Sequence, residues 1–176
     1  MGIKSRAQKE HIQALLKKYK QGIKLDIGCG ENKQPGGFVG MDMRPGPAVD
    51  IVQDLEVFPW PLPDESVSLA VASHVLEHIN PHKFVFVNFM NEVWRVLQQG
   101  GRFAFAVPYA GSPGYWQDPT HCNPISEMTM HYFAPQSSTG LYGIYRPKPW
   151  RIVEGALTWS ANGNLECILE KREERP

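Results

Sequence analysis

The stretch that decides the fold is Lys24-Leu25-Asp26-Ile27-Gly28-Cys29-Gly30, an apolar strand that runs directly into a glycine turn. A short buried strand ending in Gly-x-Gly lets the backbone turn sharply and leaves no side chain in the way of a ligand. Several classes of enzyme bind a nucleoside cofactor at such a turn. The stretch therefore predicts a cofactor site, and the residues that follow decide which cofactor it takes.

Length, charge and cysteine content narrow the class of protein. The chain has 176 residues, a length that suits one domain over 1–176, and it carries 18 Lys and Arg against 18 Asp and Glu. This balance gives no field that would attract nucleic acid or an anionic membrane. No apolar run reaches the ~20 residues that cross a bilayer, and the N-terminus lacks a signal-peptide core. Three scattered cysteines form no disulfide framework. We therefore expect a cytoplasmic protein, either a monomer or a homodimer.

Strand-like segments recur along the chain and are separated by crossovers. Apolar spacing predicts a helix over 81–98, ended by Gly100 and Gly101. A second helix is predicted within 1–21 from apolar residues three and four positions apart. Strands separated by crossovers favour a parallel α/β sheet. The predicted strands cover 24–28, 38–42, 49–53, 67–73 and 102–107.

Two features depart from a regular alternation of strands and helices. The first two crossovers contain Pro35-Gly36-Gly37 and Pro45-Gly46-Pro47, which exclude full helices and predict a thinly covered face of the sheet. Near the C-terminus, 150–159 and 164–171 are predicted to be strands joined across Ala161-Asn162-Gly163, a strong hairpin signal. The prediction is a mostly parallel sheet closed by an antiparallel hairpin, which leaves no room for a nicotinamide dehydrogenase.

Polar residues follow four successive predicted strands, at the edge where open α/β sheets bind ligands. The first strand ends at Asp26 and the glycine turn. Asp42 ends the second, where a carboxylate accepts the hydroxyls of a ribose. Asp54 and Leu55 follow the third, placed for an adenine ring. The fourth runs into Ser73-His74-Val75-Leu76-Glu77-His78. Taken together, these residues predict a nucleoside cofactor.

These motifs resemble class I S-adenosylmethionine-dependent methyltransferases. The chain is most similar to a small subgroup with L-D-I-G-C-G-x-N-K in the first motif and S-H-V-L-E-H after the fourth strand. The resemblance covers about 22–171 and implies a Rossmann-like sheet. Its motifs are found here at Leu25–Lys33, Trp60–Asp64, Ser73–His78, Arg95–Leu97 and Asp118–His121.

The resemblance implies S-adenosylmethionine as the cofactor, with S-adenosylhomocysteine as its product. The first motif would border the methionine portion, Asp42 the ribose, and Asp54 with Leu55 the adenine. Ser73 and His74 would lie beside the sulfonium. Asn32 stands where many methyltransferases carry a third glycine, which agrees with a missing first helix. The predicted cofactor-binding residues are Asp26, Gly28, Cys29, Gly30, Asp42, Met43, Asp54, Leu55, Ser73 and His74.

The acceptor is expected to be a small or sugar-like molecule, bound by the long insertion 108–149 acting as pocket or lid. A sulfonium methyl is already activated, so in-line placement of a nucleophile supplies much of the acceleration. A general base is required only where the acceptor must lose a proton. His121 and His74 are the predicted catalytic residues, with His131 a further candidate, and a structural or substrate-orienting role for His121 is the alternative. The predicted substrate-binding residues are Tyr109, Trp116, Asp118 and His121.

Other classes of site and protein fit these residues less well. The spacing of His121, Cys122 and His131 matches no recognised zinc pattern, so no metal is predicted. A DNA amino-methyltransferase would show a Pro-Pro-aromatic box in place of Ser73-His74-Val75-Leu76. None of the three cysteines follows a proline, which disfavours a cytosine-C5 enzyme. The alternative that remains is a non-catalytic cofactor-binding or scaffold protein of the same fold.

Overall fold

A computed structural model of the chain describes residues 6–160 and 162–173. The strands are β1 (Ile23–Ile27), β2 (Val39–Asp42), β3 (Ile51–Val52), β4 (Val67–Ser73), β5 (Leu97–Pro108), β6 (Trp150–Ile152), β7 (Thr158–Trp159) and β8 (Asn164–Lys171). They form one eight-stranded sheet in the order β3-β2-β1-β4-β5-β8-β6, and β7 pairs with β8 on the same edge as β6. The helices are α1 (Arg6–Lys18), α2 (Val85–Val96), α3 (Pro113–Trp116), α4 (Glu127–His131) and α5 (Tyr142–Tyr145).

The pairing of the strands confirms the predicted fold class. Strands β1 to β5 pair in parallel, whereas β8 runs antiparallel to β5, β6 and β7. Parallel neighbours end at the same edge, so the turns after β1, β2, β4 and β5 meet there. The predicted hairpin is present between β7 and β8, although its residue Ala161 lies outside the described residues. The predicted helix within 1–21 is α1, and residues 1–5 lie outside the described part.

One face of the sheet carries the core and the other is thinly covered. Helix α2 packs on the first face through Phe89 and Val93, both fully buried. On the opposite face, Val71, Ala104 and Ile168 lie side by side across β4, β5 and β8 and are only partly buried. Turns and bends fill 28–38 and 43–50, as the proline and glycine content predicts.

Two predicted boundaries are wrong, and both errors arise from local signals. Helix α2 ends at Val96 because Leu97 turns to an extended backbone (φ −70°, ψ 142°) and begins β5. Gly100 and Gly101, taken as the stop, lie inside that strand. The predicted strand 150–159 is interrupted: β6 and β7 pair with different parts of β8.

Among the described residues, no helix is both long and apolar enough to span a membrane.

Candidate active site

The glycine turn after β1 is shaped by two residues with positive φ. Gly28 has φ +68°, and its N–H donates to the carbonyl of Met41 in β2 at 2.8 Å. A Cβ at Gly28 would lie 2.5 Å from Cγ2 of Val75, so only glycine fits between the two chain segments. Gly30 has φ +54°, and nothing lies within 4 Å of the place that its Cβ would occupy. The turn is therefore tightly packed at Gly28 and has open space at Gly30.

Asp26 is buried beneath this turn. Its Oδ2 accepts a hydrogen bond from the backbone N–H of Gln34 at 2.7 Å, which ties the loop back to the strand. Burial raises the pKa of this carboxyl, and the Gln34 N–H and the charge of Lys33 offset part of the effect. Asp26 therefore holds the loop against β1 through its hydrogen bond to Gln34.

Asp42 lies half-exposed at the end of β2 and holds the turn from the other side. Its Oδ2 accepts from the N–H of Gly30 at 3.0 Å, and its Oδ1 accepts from the N–H of Arg44 at 2.9 Å. A carboxylate has about four lone-pair sites, so two remain for ligand hydroxyls. Met43 beside it is 60% exposed and available to contact a ligand.

Cys29 is buried between the two loops. Its pKa is raised to about 11, first by burial and then by the carboxylates of Asp26, Asp42 and Asp50. A thiol with so high a pKa stays protonated and unreactive near neutral pH. Cys29 therefore acts here through its shape and its backbone.

Asp54 and Leu55 follow β3, as predicted. The Asp54 side chain is exposed, and its Oδ1 accepts from the N–H of Glu56 at 3.0 Å. Leu55 is half-buried, and its carbonyl accepts from Nε1 of Trp60 at 3.2 Å. The pair presents an acceptor oxygen beside an apolar surface, as binding of an adenine requires.

Ser73 and His74 end β4, where the chain turns outward. Ser73 is exposed, and His74 adopts φ +55° while its N–H donates to the carbonyl of Ala106 at 2.9 Å. The His74 Nε2 lies 3.2 Å from Nδ2 of Asn164, which can only donate. His74 therefore carries its proton on Nδ1, which lies 3.3 Å from Oε1 of Glu77.

A cavity of about 400 Å³ opens beside His74, between the ends of β4 and β5 and the loop after α3. It brings together three predicted site residues, His74, Asp118 and His121. Tyr109 and Trp116 are not among its lining residues: Tyr109 packs against Trp159, and the Trp116 Nε1 donates to Ala110. The lining includes His74, Glu77, His78, Asp118, His121 and Asn164.

Hydrogen bonds fix the tautomers of two histidines in this cavity. His121 Nδ1 lies 2.6 Å from the carbonyl of Tyr115 and must donate to it. Thr120 Oγ1 donates to Asp118 at 2.7 Å, so His78 Nδ1, 3.1 Å from the same hydroxyl, must donate to Thr120. Each imidazole therefore keeps an unprotonated Nε2.

Glu77 is the residue that sequence reasoning did not single out. Its side chain is fully buried, and neither carboxylate oxygen has a hydrogen-bond partner. Burial raises its pKa, and the charges of His74, His78 and His121 offset part of the effect. The available signal was a carboxylate in the apolar run Val75-Leu76-Glu77 between two histidines.

The insertion 108–149 divides into two parts. Its first part, through His121, borders the cavity. Its second part supplies core residues such as Met130 and Phe133 and packs against α2, where Trp94 Nε1 donates to the carbonyl of Pro149 at 2.9 Å. His131 bonds to Ser137 in this second part and is absent from the cavity lining.

Comparisons with known proteins support the same fold. Residues 25–105 match a family described as "Methyltransferase domain". A SAM-dependent methyltransferase from Archaeoglobus fulgidus is 16% identical, with 93% of this chain and 94% of that chain covered and a TM-score of 0.58. The N-methyltransferase NodS from Bradyrhizobium japonicum, solved with S-adenosylhomocysteine, is 18% identical, with 94% and 87% covered and a TM-score of 0.56.

A third solved structure is the 1,6-didemethyltoxoflavin-N1-methyltransferase of Burkholderia thailandensis, with bound 1,6-didemethyltoxoflavin and S-adenosylhomocysteine. It is 11% identical, with 96% of this chain and 80% of that chain covered and a TM-score of 0.54. No curated protein matches the chain significantly in sequence.

The family match and the fold together indicate the class of protein. Residues 25–105 match a methyltransferase domain, and the chain has the sheet of the class I enzymes. Both findings support a class I S-adenosylmethionine-dependent methyltransferase, as the motifs predict. The open outer side of Gly30 and the spare lone pairs of Asp42 fit the cofactor of this class.

Proposed function

We propose that this chain transfers the methyl group of S-adenosylmethionine to a small, hydroxylated or sugar-like acceptor in the cavity beside His74. The observation that carries the proposal is the position of this cavity. It is lined by His74, a predicted neighbour of the sulfonium, and by further imidazoles with free lone pairs. Its volume falls within the roughly 300–1,000 Å³ typical of small-molecule sites.

The loops after β1, β2 and β3 would hold the cofactor. In this proposal Asp42 binds the ribose through its remaining lone pairs, and Asp54 with Leu55 binds the adenine. The turn at Gly28, Cys29 and Gly30 accommodates the methionine portion, supported from below by Asp26. When bound, the sulfonium supplies an activated methyl group.

The residues of the cavity would orient the acceptor and take up its proton. His121 donates through Nδ1 to the Tyr115 carbonyl, which leaves Nε2 free to accept a proton from an acceptor hydroxyl. His74 is the second candidate base: its Nε2 would exchange the Asn164 amide for the acceptor hydroxyl, and Glu77, 3.3 Å from its Nδ1, would then stabilise the charged imidazolium. Asp118 is 43% exposed on the cavity wall and can bind an acceptor hydroxyl.

The main alternative is a scaffold protein that keeps the fold without activity. A scaffold is favoured where aromatic side chains fill the acceptor cavity. Here Tyr109 and Trp116 leave it open, and this observation supports the enzyme. The Burkholderia enzyme holds 1,6-didemethyltoxoflavin and S-adenosylhomocysteine together, which supports a small-molecule acceptor.

We place the reaction in the cytoplasm, since Cys29, Cys122 and Cys167 are all free thiols.

Calorimetric titration with S-adenosylmethionine and S-adenosylhomocysteine tests the cofactor part of the proposal. Asp42→Ala removes two charge-assisted bonds to the ribose and should weaken binding by about 100-fold or more. Glu31→Ala, an exposed carboxylate of the same loop, is the matched control and should bind like the wild type. Equal binding by the two variants would refute the role of Asp42, and no binding by the wild type would favour the scaffold.

Methyl transfer itself is tested by S-adenosylhomocysteine release against a panel of hydroxylated small molecules. With any acceptor found, His121→Ala should lower kcat by about 10²–10⁴-fold if His121 is the base, and the loss should shrink as pH rises. Cofactor affinity should not change, because His121 lies outside the cofactor loops. A drop in affinity with unchanged kcat would assign His121 to positioning alone.

A further inference from the structure

Glu77, His78 and His121 converge on one point at the wall of the acceptor cavity. Each offers one possible metal-ligand atom, and these three atoms all lie within 4.8 Å of one another. Glu77 and His78 are adjacent in the turn after β4, and His121 comes from the loop after α3. All three residues line the cavity.

In this cluster, hydrogen-bond acceptors face one another, namely the carboxylate oxygens of Glu77 and the Nε2 atoms of His78 and His121. Neither oxygen of the fully buried Glu77 makes a well-formed hydrogen bond, and the nearest donor that the site offers, Nδ1 of His74, lies 3.3 Å from Oε1. His78 and His121 each direct their N–H away from it, because their Nδ1 atoms donate to Thr120 and to the Tyr115 carbonyl. Buried acceptors without a donor are costly, and a bound cation removes this cost.

The outward hydrogen bonds have the pattern that metal-binding histidines show. A ligating histidine nearly always donates its other ring N–H to a carbonyl, a carboxylate or water, which fixes its tautomer. His121 donates to a backbone carbonyl at 2.6 Å. His78 donates to Thr120, which in turn donates to Asp118. Both Nε2 lone pairs are thereby kept for a ligand.

Backbone and side-chain bonds hold the two segments in register. The N–H groups of Cys122 and Asn123 donate to the carbonyl of Glu77 at 2.9 and 3.0 Å. The buried Asn123 side chain donates through Nδ2 to the carbonyl of Leu76 at 3.0 Å. His121 therefore stays opposite Glu77 in the absence of any ligand.

We infer that Glu77 and the Nε2 atoms of His78 and His121 form a site for one divalent transition-metal ion, zinc being the best match. Two imidazoles and a carboxylate suit zinc and its first-row neighbours, whereas magnesium prefers oxygen ligands alone. Zinc–ligand bonds of about 2.0–2.2 Å require the three atoms to move closer than they lie here. This inference departs from the expectation of no metal.

A three-ligand site would leave a coordination position open toward the cavity. There the ion would bind an acceptor hydroxyl and lower its pKa, so that the oxygen loses its proton to solvent water before attack. With metal bound, the ion replaces His121 as the group that activates the acceptor, because the Nε2 lone pair of His121 is then held by the metal. The oxygen lone pair then forms the new bond to the methyl carbon, and the electron pair of the broken carbon–sulfur bond stays on sulfur. This role rests on the proposed methyl transfer, whereas metal binding itself is independent of it.

Metal binding is tested on the whole chain after removal of metal by chelation. Calorimetry and thermal melts with ZnCl₂, MnCl₂ and MgCl₂ should show one zinc ion per chain, a zinc-induced rise in Tm and no tight magnesium binding. His78→Ala and His121→Ala should each weaken zinc binding by about 100-fold. Thr120→Val, which removes only the hydroxyl behind His78, should weaken it by about 10-fold.

Matched histidine variants distinguish this site from adventitious binding. His11→Ala on the exposed face of α1 and His131→Ala beside Ser137 should leave zinc affinity unchanged. If these controls weaken zinc binding while His78→Ala and His121→Ala do not, or if the wild type binds no stoichiometric zinc, the inference is overturned.

Glu77→Gln separates a metal ligand from a purely structural carboxylate. If Glu77 is a metal ligand, this variant should raise the Tm of the metal-free protein by a few degrees and abolish the zinc-induced rise in Tm. If Glu77 is instead an ion-pair partner of His74, the variant should lower the Tm, and zinc should have no effect on the wild type. Titration of the metal-free wild type with S-adenosylhomocysteine shows separately whether the proposed cofactor binding stands.

Discussion

The cofactor loops and the acceptor cavity lie at the same edge of the sheet but are built differently. In the cofactor loops, carboxylates accept backbone N–H groups close in sequence: Asp26 from Gln34, and Asp42 from Gly30 and Arg44. In the cavity, partners come from distant segments, as His74 and Asn164 or His78 and Thr120 do. The first region is satisfied before any ligand arrives, whereas the second keeps Glu77 unsatisfied.

The cofactor half of the proposed site is therefore formed by local sequence, whereas the acceptor half is formed by the fold. Local hydrogen bonds form wherever the loop forms, so the cofactor half depends on the turn itself. The acceptor half exists only when the loop after α3 docks on the turn after β4. The two halves should therefore respond differently to substitution.

The largest effect is expected at the glycine turn. Gly28→Ala places a Cβ 2.5 Å from Val75 at φ +68°, which combines backbone strain with overpacking. We expect a loss of about 3 kcal/mol in the free energy of unfolding. The control Gly36→Ala, at φ +84° with nothing within 4 Å, should cost about 1 kcal/mol from strain alone. Urea denaturation measures both, and equal costs would contradict the close packing of this turn.

An intermediate effect is expected from the clamp of the acceptor cavity. Asn123→Ala leaves the buried carbonyl of Leu76 without its donor, at a cost of about 1–3 kcal/mol. Asn88→Ala on the exposed face of α2 is the control and should be nearly neutral. Because the cofactor loops are held locally, binding of S-adenosylhomocysteine should be unchanged in both variants. A parallel loss of cofactor affinity in Asn123→Ala would show that the two halves are coupled.

A smaller effect is expected at Asp26, whose pKa is raised by burial. A raised pKa means that the protonated carboxyl stabilises the fold at low pH, and that this contribution is lost as pH rises through the folded-state value. Asp26→Asn should therefore raise the Tm slightly at pH 7, less than Glu77→Gln does, because Gln34 and Lys33 compensate Asp26. The gain should vanish below about pH 4, where the carboxyl is protonated in the unfolded chain as well. Melts from pH 3 to 8 would contradict this if the gain grew on acidification.

The smallest change is one of chemical reactivity, without any effect on stability. Cys122 is exposed and should be the first thiol to react with a maleimide at pH 8. Cys29, with a pKa of about 11, and Cys167, with a pKa of about 12, are buried and should react only after unfolding. Mass spectrometry of the labelled chain gives the order. Early labelling of Cys29 would mean that the cofactor loops open in solution.

The residues of the proposed cofactor half can be predicted from the sequence because their signals are local. The Gly-x-Gly turn, Asp42 and the strand β4 can all be read within a few residues of the chain. The end of α2 was missed because glycines inside β5 resemble a helix stop, and the break between β6 and β7 depends on pairing with β8. Glu77 and His121 are 44 positions apart, so their approach is fixed by the docking of two loops, which no local pattern reveals.

The exposed pair Gly36-Gly37 marks a place in the loop after β1 where an insertion should be tolerated. Both residues have positive φ and open space around them, yet Gln34, two positions away, bonds directly to Asp26. A short tag or fluorophore inserted between the two glycines would project into solvent and remain attached to the loop that we propose to contact the cofactor. The protein therefore offers a built-in attachment point for an optical sensor, whose emission should change on addition of S-adenosylhomocysteine and stay constant in Asp42→Ala.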